Sequence, residues 1–444
     1  MPDRFIPRSS NLDTGLGVPL TENSGMSGTA SAEMIGALGW SEVPDPARRR
    51  TRALLRDFTA VTCAGASAPT ARLAAEYAVV QHAGDQATLL YDGRRVSATG
   101  AAWANGVLAN ALDFDDGHRL VKGHPGANVI PAALALGETI GASRDEVLAA
   151  ITVGYEIAVR AGIALHAREA DYHGSGAWGA IGAAAAGARL LRLAPAQVGH
   201  ALGLAEYHAP MAPIMRSVAD PAMTKDACGW GAMTGISSAL LAADGFTATD
   251  SAVLDALDGP EAATSRLGQR WYVQDLYVKA YPCCRWSQPA IAAALTVHSR
   301  YDIEPASITA VTVRTFGAAA ALSRRAPTTT EHAQYSLVWP VAAALVHGEF
   351  GVAHVLPAAF DDELIHDLAA RISVEVDPVL DSAFPGVRQA AVVVETIDGV
   401  LHASDLAQAP GEPEDPRWAA IIDAKFARYA GQPREHSLMS RLLS

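Results

Sequence analysis

Lysine is scarce in this 444-residue sequence: only Lys122, Lys225, Lys279 and Lys425 occur among 34 basic residues, and the rest are arginine. With 47 acidic side chains the formal net charge is −13, and no lysine-rich tract relieves it. Nucleic acid and anionic membrane surfaces both require a basic footprint, so neither is an expected partner. Cysteine is nearly absent too. Cys63, Cys228, Cys283 and Cys284 form no C-x-x-C pair, which leaves no spaced thiolates for zinc or an iron–sulfur cluster and points to a reduced, metal-free, cytoplasmic protein. Long apolar runs are missing: the charge-free stretch Tyr172 to Ala188 is mostly Gly and Ala, short of the roughly 18 strongly apolar residues of a membrane span. A serine-hydrolase elbow is wanting as well, since Gly65-Ala66-Ser67-Ala68-Pro69 and Gly174-Ser175-Gly176 both miss G-x-S-x-G.

What lysine there is gains weight from its rarity. A lysine kept against an arginine bias is expected where a compact ammonium with a tunable pKa is needed. Lys425, on a polar terminal helix, reads as ordinary surface.

The length exceeds the roughly 250–300 residues at which one core stops growing, so at least two units are expected. Residues 1–40 lack a sustained apolar period and read as an extended or flexible arm. From about 45 to 275 the period is helical: Leu54, Leu55, Phe58 and Val61 form one stripe, and Ser143-x-x-Glu146 is a capping box opening a helix to about Ala167. Further helices fit 70–82, 101–112, 128–140, 176–192, 196–205 and 227–243. After about 277 strands enter. Ile308 to Val313, Arg371 to Val376 and Ala391 to Ile397 read as strands, the last turning at Asp398-Gly399 into Val400-Leu401, with helices at 288–299 and 334–347 between them. The fold class is therefore mainly α: a large all-helical domain from 1–277 with 405–444, and a smaller α+β lid domain at 278–404.

Three segments could carry chemistry. In Asn105 to His118, followed by Gly123-His124-Pro125-Gly126, a helix runs into Asp113, Asp115, Asp116 and two histidines. Acids at a helix C-terminus oppose the dipole at about 0.3–1 kcal/mol each, so the placement suggests a site. Metal ligation is a minor reading, for no i, i+4 His pair supports it, and a solvated acidic loop is the bland one. In Asp171 to Gly179, glycines flank His173 and Ser175 before a helix, where backbone N–H groups can face an anion. The third comprises Met223-Thr224-Lys225-Asp226 and Val278 to Pro289, which carry two of the four lysines, the second at the boundary between units. Asp, His and Lys together suit proton transfer at a carbon next to a carboxylate, with cations stabilising the developing charge.

Asn105–Asp116 with Gly123-His124-Pro125-Gly126, the His173 loop, and Lys279-Ala280-Tyr281-Pro282-Cys283 with Pro289-Ala290 together resemble the MmgE/PrpD family, in order from about residue 47 to beyond 350. The resemblance implies a helical domain with an α+β lid, a homodimer, no cofactor and a small carboxylate substrate in the cleft. It places Asp113, His124, His173, Lys225 and Lys279 in the pocket. His173 or Lys279 would be the acid/base pair, Lys225 and His124 carboxylate binders, Asp113 the partner orienting a histidine, and Arg285 a further anion clamp. His118, Tyr281, Gln288 and Trp339 join the substrate-binding set. The chain departs from the family pattern at Gln288, where histidine is frequent, at Trp339, where tyrosine is, and near Gly117, where threonine is. Glutamine cannot exchange a proton near neutral pH, and tryptophan only donates.

The activity implied is a cofactor-independent lyase on a di- or tricarboxylate, first a 2-methylcitrate dehydratase-like dehydratase. A cis-aconitate decarboxylase-like reaction and an iminodisuccinate-type epimerisation are the alternatives. Outside the enzyme class stands a non-catalytic helical binding protein, for which Gln288 and Trp339 speak.

Overall fold

The capping box at Ser143 forms. Ser143 Oγ accepts the Glu146 N–H and Glu146 Oε2 accepts the Ser143 N–H at 2.9 Å, satisfying two of the orphan donors that open any helix. The helix it starts, Arg144–Arg168, is buried without a gap from Val147 to Gly162. A helix covered on all sides belongs at the centre of a bundle. By length and composition it could cross a membrane, yet 89% of its most apolar window is buried within the protein.

The computed structural model describes residues 30–169, 171–249, 251–252, 268–430, 439 and 442. Against the central helix pack Asp45–Gly65, Gly126–Ile140 and Gly176–Leu191, and on these pack Ala98–Asn110, Pro195–His208 and Cys228–Ala243. The Ala/Gly composition has a direct steric use: a Cβ at Gly182 would stand 2.6 Å from Gly154 O, so only glycine lets these two helices approach so closely. The expected arm is outside the described residues up to position 29. Beyond it the reading is corrected, because Ala30–Ala37 is a helix whose Ile35 is buried in the first core.

The second half supplies the strands. Ile308–Thr315 pairs in parallel with Ile372–Val376 and antiparallel with Gln389–Thr396, which in turn pairs with Leu401–Ala403 and Ala407–Gln408. The sheet thus runs past the expected boundary at 404. Along Gln389–Thr396 burial alternates, one face packing on the Gln288–Tyr301 helix. The single helix expected over 334–347 is two, Thr330–Gln334 and Val338–His347. Ser336 Oγ accepts the Trp339 N–H at 3.1 Å and starts the second, whose Pro340 falls in the first turn, where no intrahelical donor is needed.

Trp418–Tyr429 returns to the helical bundle against Asp45–Gly65. Arg50 covers the Trp418 ring and Arg56 the Phe426 ring, each at 3.8 Å. Here the surface reading of Lys425 fails: it is 4% exposed and meets the buried Asp57 carboxylate at 2.7 Å.

Candidate active site

The helix Ala98–Asn110 ends inside the protein, so its last carbonyls need donors. Asn110 O accepts from Lys225 Nζ at 2.5 Å, Ala111 O from Gln334 Nε2 at 3.0 Å, Asp113 O from Lys279 Nζ at 2.8 Å and Phe114 O from Lys425 Nζ at 2.9 Å. Three of the four lysines therefore converge on one helix end and the loop after it. Their charges answer both the negative end of the dipole and the acids that made this placement unfavourable.

At the centre, Asp113 Oδ1 lies 2.5 Å from Lys279 Nζ and 3.3 Å from His124 Nε2, with Asp113 only 2% exposed and Lys279 wholly buried. Burial pushes the Asp113 carboxyl up, but Lys279, Lys225 and His124 together outweigh it and hold the group below the usual carboxylate range. For Lys279 burial works against the charge, and Asp113 and then Asp115 more than restore it, so the ammonium keeps its proton beyond the usual lysine range. Lys225 goes the other way, because burial exceeds the help it gets from Asp113 and Asp115.

His124 is fixed on every side. Its Nδ1 is 2.7 Å from the Asp116 carbonyl, its backbone N–H donates to Ser175 Oγ at 2.9 Å, and Asn128 Nδ2 donates to its carbonyl at 3.0 Å. Ser175 Oγ donates onward to Asp226 Oδ1 at 2.7 Å. Through this chain the glycine-flanked loop before Gly176–Leu191 orients the histidine rather than offering free N–H groups.

A cavity opens beside these groups, lined by Asp113, His124, Lys279, Lys122, Tyr172, Asp226, Tyr277, Cys284, Arg285, Trp286, Tyr335 and Arg388 among others. It lies where Gly117–His118 pairs antiparallel with Leu276–Tyr277. A Cβ on Gly117 would collide with the Tyr277 ring and hydroxyl, so this departure from the family pattern has a steric cause: a phenol occupies the room of a threonine. Backbone strain gathers here too. Asp113, Lys122, Lys225 and Ala227 all take positive φ, which for a non-glycine residue costs of order 1–3 kcal/mol and clusters at functional sites.

The structure brings Asp113, His124 and Lys279 into one cavity, with Arg285 in its wall and Lys225 directly behind the loop. The remaining expected residues stand elsewhere. His173 stacks on His166, ring centres 6.4 Å apart, and its neighbour Tyr172 takes the cavity wall instead. His118 is packed edge-on to Tyr272, and burial, then nearby arginines, lower its pKa to about 3. Gln288 spends its amide on the Tyr281 and Cys283 carbonyls, fixing the loop that carries Lys279. Tyr281 faces a separate groove with Leu295 and Arg417. Trp339 donates to the His354 carbonyl at 2.9 Å inside the second core. Arg285 uses both terminal nitrogens on protein acceptors, including Pro410 O at 2.6 Å and Glu412 Oε1 at 2.9 Å.

Asp113, Asp115 and His124 bring potential ligand atoms within 4.8 Å of one another. Their donor capacity is already engaged: Lys279 sits on Asp113 Oδ1, Asn110 Nδ2 donates to both Asp115 oxygens at 3.2 Å, and His124 Nδ1 faces the Asp116 carbonyl. A metal ion would compete with the Lys279 ammonium for the Asp113 carboxylate, so the trio is a poor cradle for one. Cys284, in the wall, has its thiol raised to about 12, chiefly by burial, which makes it an inert packing group.

Several wall residues escape sequence reasoning: Tyr277, Tyr335, Asp226, Lys122 and Arg388. Only Lys122, itself one of the four lysines, and Asp226, next to Lys225, carried a local signal.

Residues 30–269 match the model of the MmgE/PrpD N-terminal domain and residues 281–438 that of the MmgE/PrpD C-terminal domain. Among curated relatives, a cis-aconitate decarboxylase-like protein of Aspergillus oryzae is 25% identical over 84% of this chain and 84% of its own. The cis-aconitate decarboxylase of Aspergillus terreus is 24% identical over 60% of this chain and 58% of its own, and that of Homo sapiens 25% identical over 78% and 76%.

Proposed function

The chain belongs to the MmgE/PrpD family, and on that footing we propose that it is a lyase acting on a small polycarboxylate through its own side chains. Among the reactions weighed from the sequence, loss of carbon dioxide from a cis-aconitate-like acid is the reading favoured. One observation carries it: Lys279, anchored on Asp113 in a buried pair, is biased to keep its proton. It is thereby an acid and an electrostatic anchor rather than a base.

Decarboxylation asks for that. One C–C bond breaks, the carboxyl carbon leaves as carbon dioxide, its bonding pair stays on the substrate, and a proton is delivered to carbon. The Lys279 ammonium and the His124 imidazole, held by Asp113 and the Asp116 carbonyl, would stabilise the developing negative charge and supply the proton, replaced from water after release. Fixed donors among buried groups act without reorganisation, which gives this kind of stabilisation its size. Dehydration, the first expectation from the resemblance, needs a base to start. The nearest proposal for one, His173, is turned toward His166, and the relatives named above are two cis-aconitate decarboxylases and a cis-aconitate decarboxylase-like protein.

Proton NMR in deuterated water with cis-aconitate, 2-methylcitrate and iminodisuccinate tests the reading, with chelator present throughout. An itaconate-like product carrying one deuterium, with bicarbonate formed in step, is expected from cis-aconitate. Water loss or addition without bicarbonate would replace it with a dehydratase, and solvent exchange without net product with an epimerase. Silence on all three by folded protein would leave the binding-protein reading. The protein is further proposed to act as a homodimer, consistent with exposed Tyr207, Met211, Met215 and Trp230 on the helical domain; light scattering checks the mass.

A further inference from the structure

Glu412 is asked to neutralise three guanidinium groups: Arg285 at 2.9 Å, Arg388 at 3.5 Å and Arg119 at 3.7 Å. Arg119 has a second acid, Glu414, at 2.6 Å. Arg285 also donates through both terminal nitrogens to main-chain carbonyls and Gln288, which leaves only its buried Nε without a partner among the described residues. Arg388 has neither. It is 5% exposed, and among the described residues its one hydrogen bond is the long contact to Glu412 and its buried Nε has no partner. A buried guanidinium with most of its five donors idle is expensive unless something else arrives to use them.

Arg388 lines the cavity that holds Asp113, His124 and Lys279. It lies beside the Tyr277 ring, 5.7 Å from its centre, while Arg285 covers the same ring at 4.4 Å. Tyr277 is itself 2% exposed, and its hydroxyl, over Gly117, has no hydrogen-bond partner among the described residues. One wall of the cavity therefore presents a fork of N–H donors and a phenolic O–H, with one positive charge more than the local acid can balance.

We propose that Arg388 and the Tyr277 hydroxyl bind a second carboxylate of the ligand, one remote from the reacting carbon, and thereby select polycarboxylates over monocarboxylates. Planar guanidinium matches planar carboxylate in a two-bond fork, and the phenol completes a third donor. Glu412 is the internal competitor: it holds Arg388 loosely in the empty site and yields it to the ligand. The inference rests on the reading of this cavity as a carboxylate site, and it moves the anion clamp expected at Arg285 to a residue just before the Gln389–Thr396 strand.

Ligand-observed NMR titration with tricarballylate and with butyrate separates the two claims. Intact protein is expected to bind tricarballylate at least about tenfold more tightly than butyrate, and Arg388→Gln to weaken tricarballylate by about 10- to 100-fold, the span of a charge-assisted hydrogen bond. Butyrate should change less than about threefold, the threshold that separates loss of one clamp from general damage. Because Arg388→Gln also strips a partner from Glu412, Glu412→Gln serves as the second variant. It should tighten tricarballylate by releasing the clamp. Unchanged tricarballylate affinity in folded Arg388→Gln, or weaker binding in Glu412→Gln, overturns the role of Arg388. Failure of intact protein to bind either acid, or binding indifferent to Lys279→Met, overturns the carboxylate reading of the cavity itself.

Discussion

Lys279 and Asp113 stand 166 residues apart in sequence and meet through two hydrogen bonds, one to the Asp113 carboxylate at 2.5 Å and one to its carbonyl at 2.8 Å. The side chain thus neutralises the acid and pins the strained backbone that presents it. Removing one partner leaves the other charged and buried, which costs about 3–5 kcal/mol. Lys279→Met is therefore expected to lower both stability and turnover, the latter by about 10²–10³-fold or more. The double variant Asp113→Asn with Lys279→Met should regain most of the stability and none of the turnover. Urea melts beside NMR rates check this, and a double variant that recovers activity would remove the pair from the chemistry.

Lys122 gives the cavity a pH-sensitive charge. Burial first, then Arg388, lower its pKa to about 8, and its ammonium rests 3.0 Å from the centre of the Tyr172 ring. Above that pH the side chain becomes neutral, so attraction for an anionic substrate declines. KM is expected to rise on the alkaline side of pH 8 while kcat moves little. Lys122→Arg should shift this arm upward beyond the measurable range, and an arm of the same position in Lys122→Arg would assign it to another group.

Asp116 makes stability itself pH-dependent. Burial, opposed by the Tyr155 hydroxyl and reinforced by Asp115, raises its pKa to about 7. The folded state then holds a proton that the unfolded chain releases from about pH 4 upward, so stability declines as pH rises from 4 to 7 and levels off above. The interval corresponds to a cost on the order of 4 kcal/mol. Asp116→Asn cannot ionise and should flatten this part of the profile. Denaturant titrations at pH 4, 5.5 and 7 check it, and parallel profiles for the two proteins would refute the assignment.

Lys425 and Asp57 offer the same ion-pair logic away from the cavity. Lys425→Met should destabilise by about 3–5 kcal/mol, and adding Asp57→Asn should return much of it. Thermal unfolding reads both, and additive losses in the double variant would contradict a coupled pair.

Much of the architecture was legible because its signals are local. The Ser143 capping box, the helical stripe at Leu54 to Val61 and the Asp398-Gly399 turn depend on neighbours a few residues away. Asp113, His124 and Lys279 were also within reach, since rare lysine, misplaced acids and the family pattern pointed at the same segments. The pairing of Gly117–His118 with Leu276–Tyr277 was not, because a two-residue ladder leaves no period to read. Arg388 looks like any other of the chain's many arginines until the excess of guanidinium over carboxylate around Glu412 is counted in space. Lys425 sits in a helix of polar texture, and only its tertiary partner Asp57 shows why it is lysine. Trp339 and Gln288 mislead in the opposite direction: they mark departures from the family pattern, yet their hydrogen bonds go to the scaffold.

The acceptors at the end of the Ala98–Asn110 helix set a timetable for synthesis. Phe114 O waits for a donor 311 residues further along, and at about 5–20 residues per second a ribosome needs roughly 15–60 s to deliver it. Until the Trp418–Tyr429 helix emerges, the nascent loop carries three acids and unclaimed carbonyls with one of its cations still unmade. Lysine at 425 is the closing stitch of the loop that carries Asp113, and that loop is fully held only once the Trp418–Tyr429 helix is made.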